Sequence, residues 1–380
     1  MSATARRIVC LSGTRADFGL LRSTLQRIAA TEGLAIQVLV TGMHLSEAHG
    51  RTVDEIRASG LAVCAEVPLD MSTRSQASMA LGIADCLRGV TQVLAREQPD
   101  LLLVLGDRGE MLAGAIAALH LGIPCVHLHG GERSGTVDEP VRHAISKLSS
   151  FHFVATEGSR QRLIAMGEES SRIHVTGAPG LDGLTGLGAM AREELLAALQ
   201  LAPDAHFILA LFHPVVQQAG QAGDQTRALL AALRSVNLPV LWLEPNADAG
   251  SLEVLAALET SQLPAGSRRL AHMERPLFAG ALRHCELLAG NSSAGIIEAA
   301  SVGTPVVNIG DRQLLRERNA NVIDVAPDPV AIEQALRQAL GRGHFACENV
   351  WGDGHAAERI VSLLLRLPLG PQVLEKVNSY

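Results

Sequence analysis

Short apolar runs recur along the chain at Arg7–Leu11, Ala35–Thr41, Leu101–Leu105, Pro124–Leu128, Phe151–Ala155 and Arg172–Thr176. They continue at His206–Phe212, Pro239–Leu243, Cys285–Ala289, Pro305–Ile309 and Val322–Val325. Each reads as a β-strand. Several, such as LLLVL at 101–105, are apolar at every position, as expected of parallel strands covered on both faces. Between them lie segments such as Arg108–Leu121 and Arg227–Val236, whose apolar residues fall three and four apart on one helical face. This alternation predicts an α/β fold of doubly wound, Rossmann-like parallel sheets.

One stretch interrupts the pattern. Gly177–Met190, GAPGLDGLTGLGAM, holds five glycines and a proline and leaves halves of similar length on either side. It predicts a hinge between an N-terminal domain, 1–178, and a C-terminal domain, 179–354. A helix-like segment, His355–Leu367, lies in the remainder, 355–380, and Pro368 would stop it. A chain of 380 residues fits two domains.

Composition narrows the function. With a formal charge of −7 and 3% aromatic residues, the chain lacks the basic face and stacking platform of a nucleic-acid binder. At 47% hydrophobic it is not a disordered chain. Of the 32 basic residues only Lys147 and Lys376 are lysines, and neither follows a glycine, so no G-x-x-x-x-G-K-[ST] phosphate loop exists. The six cysteines are scattered, which fits a reducing, cytoplasmic compartment rather than a disulfide scaffold. The first apolar run is too short for a signal-peptide core, and no stretch is long enough to span a bilayer, so no membrane partner is expected.

Ligands of open α/β sheets gather at the carboxyl ends of strands. The first such loop is SGTRADFG. Gly13 permits a tight turn there, and Arg15 with the amides opening the next helix suits an anion, the alternative being an ordinary turn with a surface arginine. Asp107 and Arg108 follow Leu101–Leu105, the aspartate being either a helix cap or a reacting group. The next strand runs into HGGERSGTVDEPVRHAISK, which crowds Glu132, Arg133, Asp138, Glu139 and Arg142 beside His127 and His129. Asp138 also has a capping reading. Asp107, Glu132 and Asp138 at neighbouring strand ends would repel, raising at least one pKa towards that of a general acid, and this favours a proton-transfer site.

In the second half, Cys285–Ala289 leads into GNSSAGIIEAASVGTP. Ser292 and Ser293 offer hydroxyls and a cap, and the amides of the first helical turn, Gly295 among them, suit a diphosphate. Glu298, about one turn along, can accept both hydroxyls of a ribose; its other reading is an acid favoured by the helix dipole. His213 in LFHPV, and Asn246 with Asp248 in LEPNADAG, end strands directed at the same place. Together they describe a nucleotide-diphosphate pocket. HLHGGE lacks metal-ligand spacing, so no metal is expected and His127 and His129 read as buried, hydrogen-bonded residues. Relaxed G-x-G-x-x-A matches at Gly186 and Gly341 do not cap a strand, so no dinucleotide or other cofactor is expected.

At these residues the sequence resembles the UDP-N-acetylglucosamine 2-epimerase family, and more closely its hydrolysing branch. SGTRADFGLL, TGMHLS, GDRGEM, HGGERSGTVDEPVRHAISK, PNADAG, NSSAGIIEA and NIGDRQ carry the likeness along nearly the whole chain. HGGE followed by DE-x-x-RHAI-[ST]-K is the specific part. The non-hydrolysing branch tends to show GTRPE and a VEAGLR-type segment, where this chain has Ala16–Asp17 and Gly131–Glu132–Arg133.

The resemblance implies a glycosyltransferase-B-like pair of domains facing across a cleft. UDP would be held mostly by the C-terminal domain, and the helix of 355–380 would cross back to the first. It implies acid/base roles for Asp107, Glu132 and Asp138 and places His213 near the departing diphosphate. Arg15 becomes a basic contact, Ser292 and Ser293 a phosphate-binding turn, and Glu298 the ribose ligand. A carboxylate takes the proton at C2 of the sugar as UDP leaves C1, giving a 2-acetamidoglycal; a second acid then protonates C2 from the opposite face as water adds at C1. The expected reaction releases UDP and N-acetylmannosamine for sialic-type (nonulosonic) acid synthesis. The alternatives are the same reaction on UDP-2,4-diacetamido-2,4,6-trideoxyglucose, as in a legionaminic-type pathway, a non-hydrolysing epimerase, an inverting glycosyltransferase, or a sugar-nucleotide sensor. A homodimer or homotetramer is expected from the same resemblance.

Overall fold

The computed structural model describes residues 5–47, 50–71, 75–133, 138–245 and 248–379. The chain divides into two units: one comprises the residues up to Glu132, Asp138–Asp182 and Trp351 onward, the other Gly183–Val350 together with Arg133.

In the first unit the strands are β1 (Arg6–Ser12), β2 (Leu34–Thr41), β3 (Ala62–Val67), β4 (Leu101–Leu105), β5 (Cys125–Leu128), β6 (Phe151–Val154) and β7 (Ile173–Val175). The helices between them are α1 (Arg15–Ala29), α2 (Val53–Ala58), α3 (Gln76–Glu97), α4 (Gly109–Leu121), α5 (Asp138–Leu148) and α6 (Glu157–Ala165). The sheet is parallel in the order β3-β2-β1-β4-β5-β6-β7. All five residues of β4 are buried, as its unbroken apolar run requires.

The second unit holds α7 (Leu184–Leu187), α8 (Arg192–Ala198), β8 (Ile208–Leu211), α9 (Ala222–Val236), β9 (Val240–Leu243), α10 (Ser251–Thr260) and β10 (Arg268–Leu270). It continues with α11 (Arg275–His284), β11 (Leu287–Gly290), α12 (Ser293–Ile297), β12 (Val306–Ile309), β13 (Val322–Val325) and α13 (Pro329–Arg342). Its sheet order is β10-β9-β8-β11-β12-β13, again parallel. α14 (Ala356–Arg366) belongs to the first unit, where Ile360, Val361 and Leu364 pack with Leu21, Leu25 and Ile28 of α1.

Both sheets are doubly wound, and strand order reverses between β1 and β4 in one and between β8 and β11 in the other. In open sheets of this kind, loops leaving the strands on either side of such a reversal diverge to opposite faces, and ligands bind at their carboxyl ends. Gly290, at the end of β11, serves a close approach there: its φ is 140°, and a Cβ would stand 1.9 Å from the Leu211 carbonyl oxygen. The eleven strands read from the sequence all occur, most of them trimmed at the ends. β3 and β10 were not foreseen; both are sheet edges, and their half-exposed residues (AVCAEV and RRL) make no apolar run. The glycine-rich stretch is partly regular, with a turn at Pro179–Leu181 and then α7. Its Gly180 lets the turn close on α1, since a Cβ would meet Leu20 Cδ2 at 2.3 Å. Among the described residues no helix is long and apolar enough to cross a membrane.

Candidate active-site residues in each unit

β4 and β5 deliver the acidic groups of the first unit. Beyond β5 the chain turns sharply, with His129 (φ 62°) and Gly131 (φ 72°) in the left-handed region, and brings Glu132 back inside, 1% exposed. α5 then opens with Asp138 and carries Arg142 one turn later. Arg142 is buried, and its guanidinium pairs with Asp107, lies 3.6 Å from Glu132 Oε2 and donates to the His129 carbonyl at 2.7 Å. Burial works against its charge, but Asp107, Glu132, Asp138 and Glu139 outweigh it and raise its pKa. The three carboxylates read from the sequence therefore gather round one cation. The expected repulsion among them is replaced by shared attraction to Arg142, a correction that follows from the guanidinium at their centre.

The two neighbouring histidines differ. His127 is closed off: Nδ1 meets Ser146 Oγ at 2.9 Å, Nε2 meets the Gly106 carbonyl at 2.7 Å, and burial pushes its pKa down to about 3. His129 is hydrogen-bonded through Nδ1 to Glu132 Oε1.

Around the end of β1, Thr14 caps α1 and Asp17 returns the bond, its carboxylate accepting from the amides of Thr14 (3.0 Å) and Gly13 (3.3 Å). Burial lifts the Asp17 pKa to about 6, with Arg108 opposing and Glu110 adding to the rise. Arg108 Nε lies 3.4 Å from Glu110 Oε2, and that glutamate fits because Gly13 and Gly42 have no side chains to meet it. Arg15 does not stand open to an anion; it forks onto Glu55 of α2, Nη2–Oε1 2.7 Å and Nε–Oε1 3.1 Å. That pairing corrects the open anion site read from SGTRADFG.

In the second unit, β8 and β11 are joined beyond their ends by Asn291. Its Oδ1 accepts the His213 amide at 2.7 Å and its Nδ2 donates to the His213 carbonyl at 2.8 Å. Arg312 and Gln313 both donate to the Asn291 carbonyl at 3.1 Å. Burial, aided by Arg312, pushes the His213 pKa down to about 3, so its imidazole is neutral at neutral pH and acts there as a hydrogen-bonding group rather than a cation.

Ser292 caps α12, accepting weakly from the Ala294 amide at 3.4 Å, and Ser293 begins the helix. The helix is only five residues long, so Glu298 is its C-cap rather than an early helical residue; its carboxylate is 2.5 Å from Arg275 Nη1. Gly295 departs from the expected anion contact: its amide donates to the Ser292 carbonyl at 3.2 Å, and a Cβ would press on Val306 Cγ1 at 2.9 Å. Its role is packing against β12. Asn246 lies outside the described residues. No set of three or more His, Cys, Asp or Glu arranged to hold a metal occurs among the described residues.

The sequence reading assigned no role to Arg142, Asn291, Arg275 or Glu110. Only Arg142 carried a signal, four residues after Asp138 and so on the same helical face. The others are partners fixed by tertiary approach.

The model of the UDP-N-acetylglucosamine 2-epimerase family matches residues 26–365. The chain is 46% identical over 375 residues to UDP-N,N'-diacetylbacillosamine 2-epimerase (hydrolyzing) of Legionella pneumophila, covering 99% of this chain and 100% of that one. It is 33% identical to UDP-N-acetylglucosamine 2-epimerase of Neisseria meningitidis serogroup B, over 92% and 91% of the two chains. Among solved structures, UDP-GlcNAc 2-epimerase from Neisseria meningitidis bound to UDP-GlcNAc is similar with a TM-score of 0.80 at 19% identity, covering 95% of this chain and 100% of that one.

Proposed function

Because this chain belongs to the UDP-N-acetylglucosamine 2-epimerase family, in its hydrolysing branch, we propose that it cleaves a UDP-2-acetamido sugar to UDP and the free 2-epimeric sugar. The observation that carries the reading is the arrangement of Asp107, Glu132 and Asp138 around Arg142. Epimerisation at C2 with loss of UDP needs a base for the C2 proton and an acid on the other face of the sugar. Carboxyl groups gathered about one guanidinium place acid/base groups together for these two proton transfers.

In this reading the second unit holds the nucleotide. Glu298, paired with Arg275, takes the ribose hydroxyls, while His213, Ser292 and Ser293 donate to the diphosphate. Arg108 and Asn246 complete the substrate contacts proposed from the motifs. For the sugar, the 46%-identical Legionella relative supports UDP-2,4-diacetamido-2,4,6-trideoxyglucose ahead of UDP-N-acetylglucosamine, which the 33%-identical Neisseria relative supports as a second reading. The product belongs to the nonulosonic-acid precursors in either case, N-acetylmannosamine being that of the second. We also propose a homo-oligomer in the cytoplasm.

The test offers both nucleotides to the protein in deuterated water and follows products by proton NMR. Free sugar epimerised and deuterated at C2, together with UDP, is the expected outcome, formed faster from the diacetamido nucleotide. UDP-N-acetylmannosamine as the product, or turnover only with an added acceptor, would reject hydrolysis. Glu132→Gln should lower kcat by about a hundredfold or more while UDP still binds in calorimetry.

A further inference from the structure

His129 has no task in the reaction as set out above, yet three features coincide on it. Its backbone is left-handed, φ 62°, a conformation that costs a non-glycine residue about 1–3 kcal/mol and is retained where surroundings force it. Its ring is buried, 6% exposed, and hydrogen-bonded to Glu132 through Nδ1. An ionised carboxylate only accepts, so beside one Nδ1 carries the hydrogen, and an imidazole with that single hydrogen has its lone pair on Nε2. That Nε2 has no hydrogen-bond partner among the described residues. His127, two residues earlier, is the contrast: both of its nitrogens are satisfied, and it sits in ordinary strand. A strained residue whose one basic atom is left unmet beside a carboxylate is an arrangement that orients a base.

We propose that His129 is a catalytic base of the epimerisation and that Glu132 is the positioning carboxylate behind it. The inference rests on the reaction proposed above. Nε2 takes the C2 proton of the sugar, the C2–H electron pair becomes the C1–C2 π bond, and the C1–O pair leaves on UDP. The resulting imidazolium is held by Glu132. A carboxyl of Asp107 or Asp138 then gives a proton to C2 from the other face as a water oxygen joins C1, and the proton shed by that water restores the carboxyl. The imidazolium returns its proton to solvent, so UDP-sugar and water become free sugar, UDP and one proton.

The test uses the full-length protein with the His129→Asn and His129→Gly variants, both residues that adopt the left-handed backbone with little strain. Each should fold with the wild-type melting temperature and bind UDP normally, while kcat falls about 10²- to 10⁴-fold with KM little changed. Added imidazole should restore turnover to the glycine variant, and the restored reaction should show a primary isotope effect with substrate deuterated at C2. Variants that keep kcat within about threefold of wild type, or a loss that imidazole leaves unrepaired, would overturn the assignment and leave the overall reaction standing. If the wild-type protein itself releases no free sugar from either nucleotide, the reaction falls and the assignment with it.

Discussion

At Arg142 a buried guanidinium pairs with Asp107, lies 3.6 Å from Glu132 and donates to the His129 carbonyl, tying the loops after β4 and β5 to α5. Such a fork cannot be replaced by a point charge: lysine offers one ammonium on a flexible stem and cannot reach three partners in a plane. Arg142→Lys is therefore expected to lower kcat at least about tenfold with UDP affinity unchanged, whereas Arg142→Met, which leaves the carboxylates without their cation, should also destabilise the fold by roughly 3–5 kcal/mol. Denaturant melts beside kinetics check both, and a fully active lysine variant would reject the hub. The acids themselves were legible, because carboxylates at the ends of adjacent strands stand out in the sequence. Their common counter-ion was not, since α-helical spacing shows which face Arg142 occupies but not that the face is inside. Arg15 shows the same limit: Glu55, its partner, comes from α2, forty residues on, and only the packed unit brings the two together.

Elements hold this cluster from the far side as well. α5 starts with Asp138, and at its other end Lys376 donates to the carbonyls of Ser146, Lys147 and Ser149, all at 2.8–2.9 Å. The same ammonium meets Glu168, buried, which also accepts from His152 at 2.8 Å and lies 3.0 Å from Lys147, so both lysines of the chain converge on one carboxylate. Burial alone would raise the pKa of Glu168, but His152 and Lys376 prevail and bring it down to about 2. A depressed carboxylate stabilises the fold above its ordinary value of 4.5, and that contribution disappears as pH falls towards 2. Lys376→Met should thus cost roughly 3 kcal/mol near neutral pH, and the gap to wild type should shrink as the pH drops below about 4.5. Urea midpoints across pH measure this; a gap that widens on acidification would contradict it. The strands show the same boundary between local and tertiary information. Those covered on both faces announce themselves as apolar runs, whereas β3 and β10, at sheet edges, are specified by pairing with β2 and β9. That Glu298 caps the end of α12, instead of lying in the first turn of a longer helix, is not legible, because nothing in SAGIIEAA marks a stop after five residues.

The two units are built differently as chains, and that asymmetry has a thermodynamic consequence. Gly183–Val350 is continuous, with its own parallel sheet and buried clusters around Trp242, Phe207 and Phe212. The first unit is completed only by the returning C-terminal segment. From that segment Ile360, Val361, Leu364, Leu367 and Val373 enter the core with Phe18, Leu21, Leu25 and Ile28, each 8% exposed or less. Burying five such side chains contributes on the order of 10 kcal/mol, an upper bound because the unfolded chain is partly collapsed. That is as large as the whole net stability of a typical domain, about 5–15 kcal/mol. A fragment of residues 1–182 should therefore fail to fold, while 183–350 should fold alone and, if the second unit is the nucleotide holder, bind UDP without turning over any substrate. Circular dichroism and calorimetry on the two fragments decide it. A cooperative melt from 1–182 would show that α14 and the tail add little to the core. UDP binding by 183–350 that survives Arg275→Ala together with Glu298→Ala would take the ribose contact away from that pair.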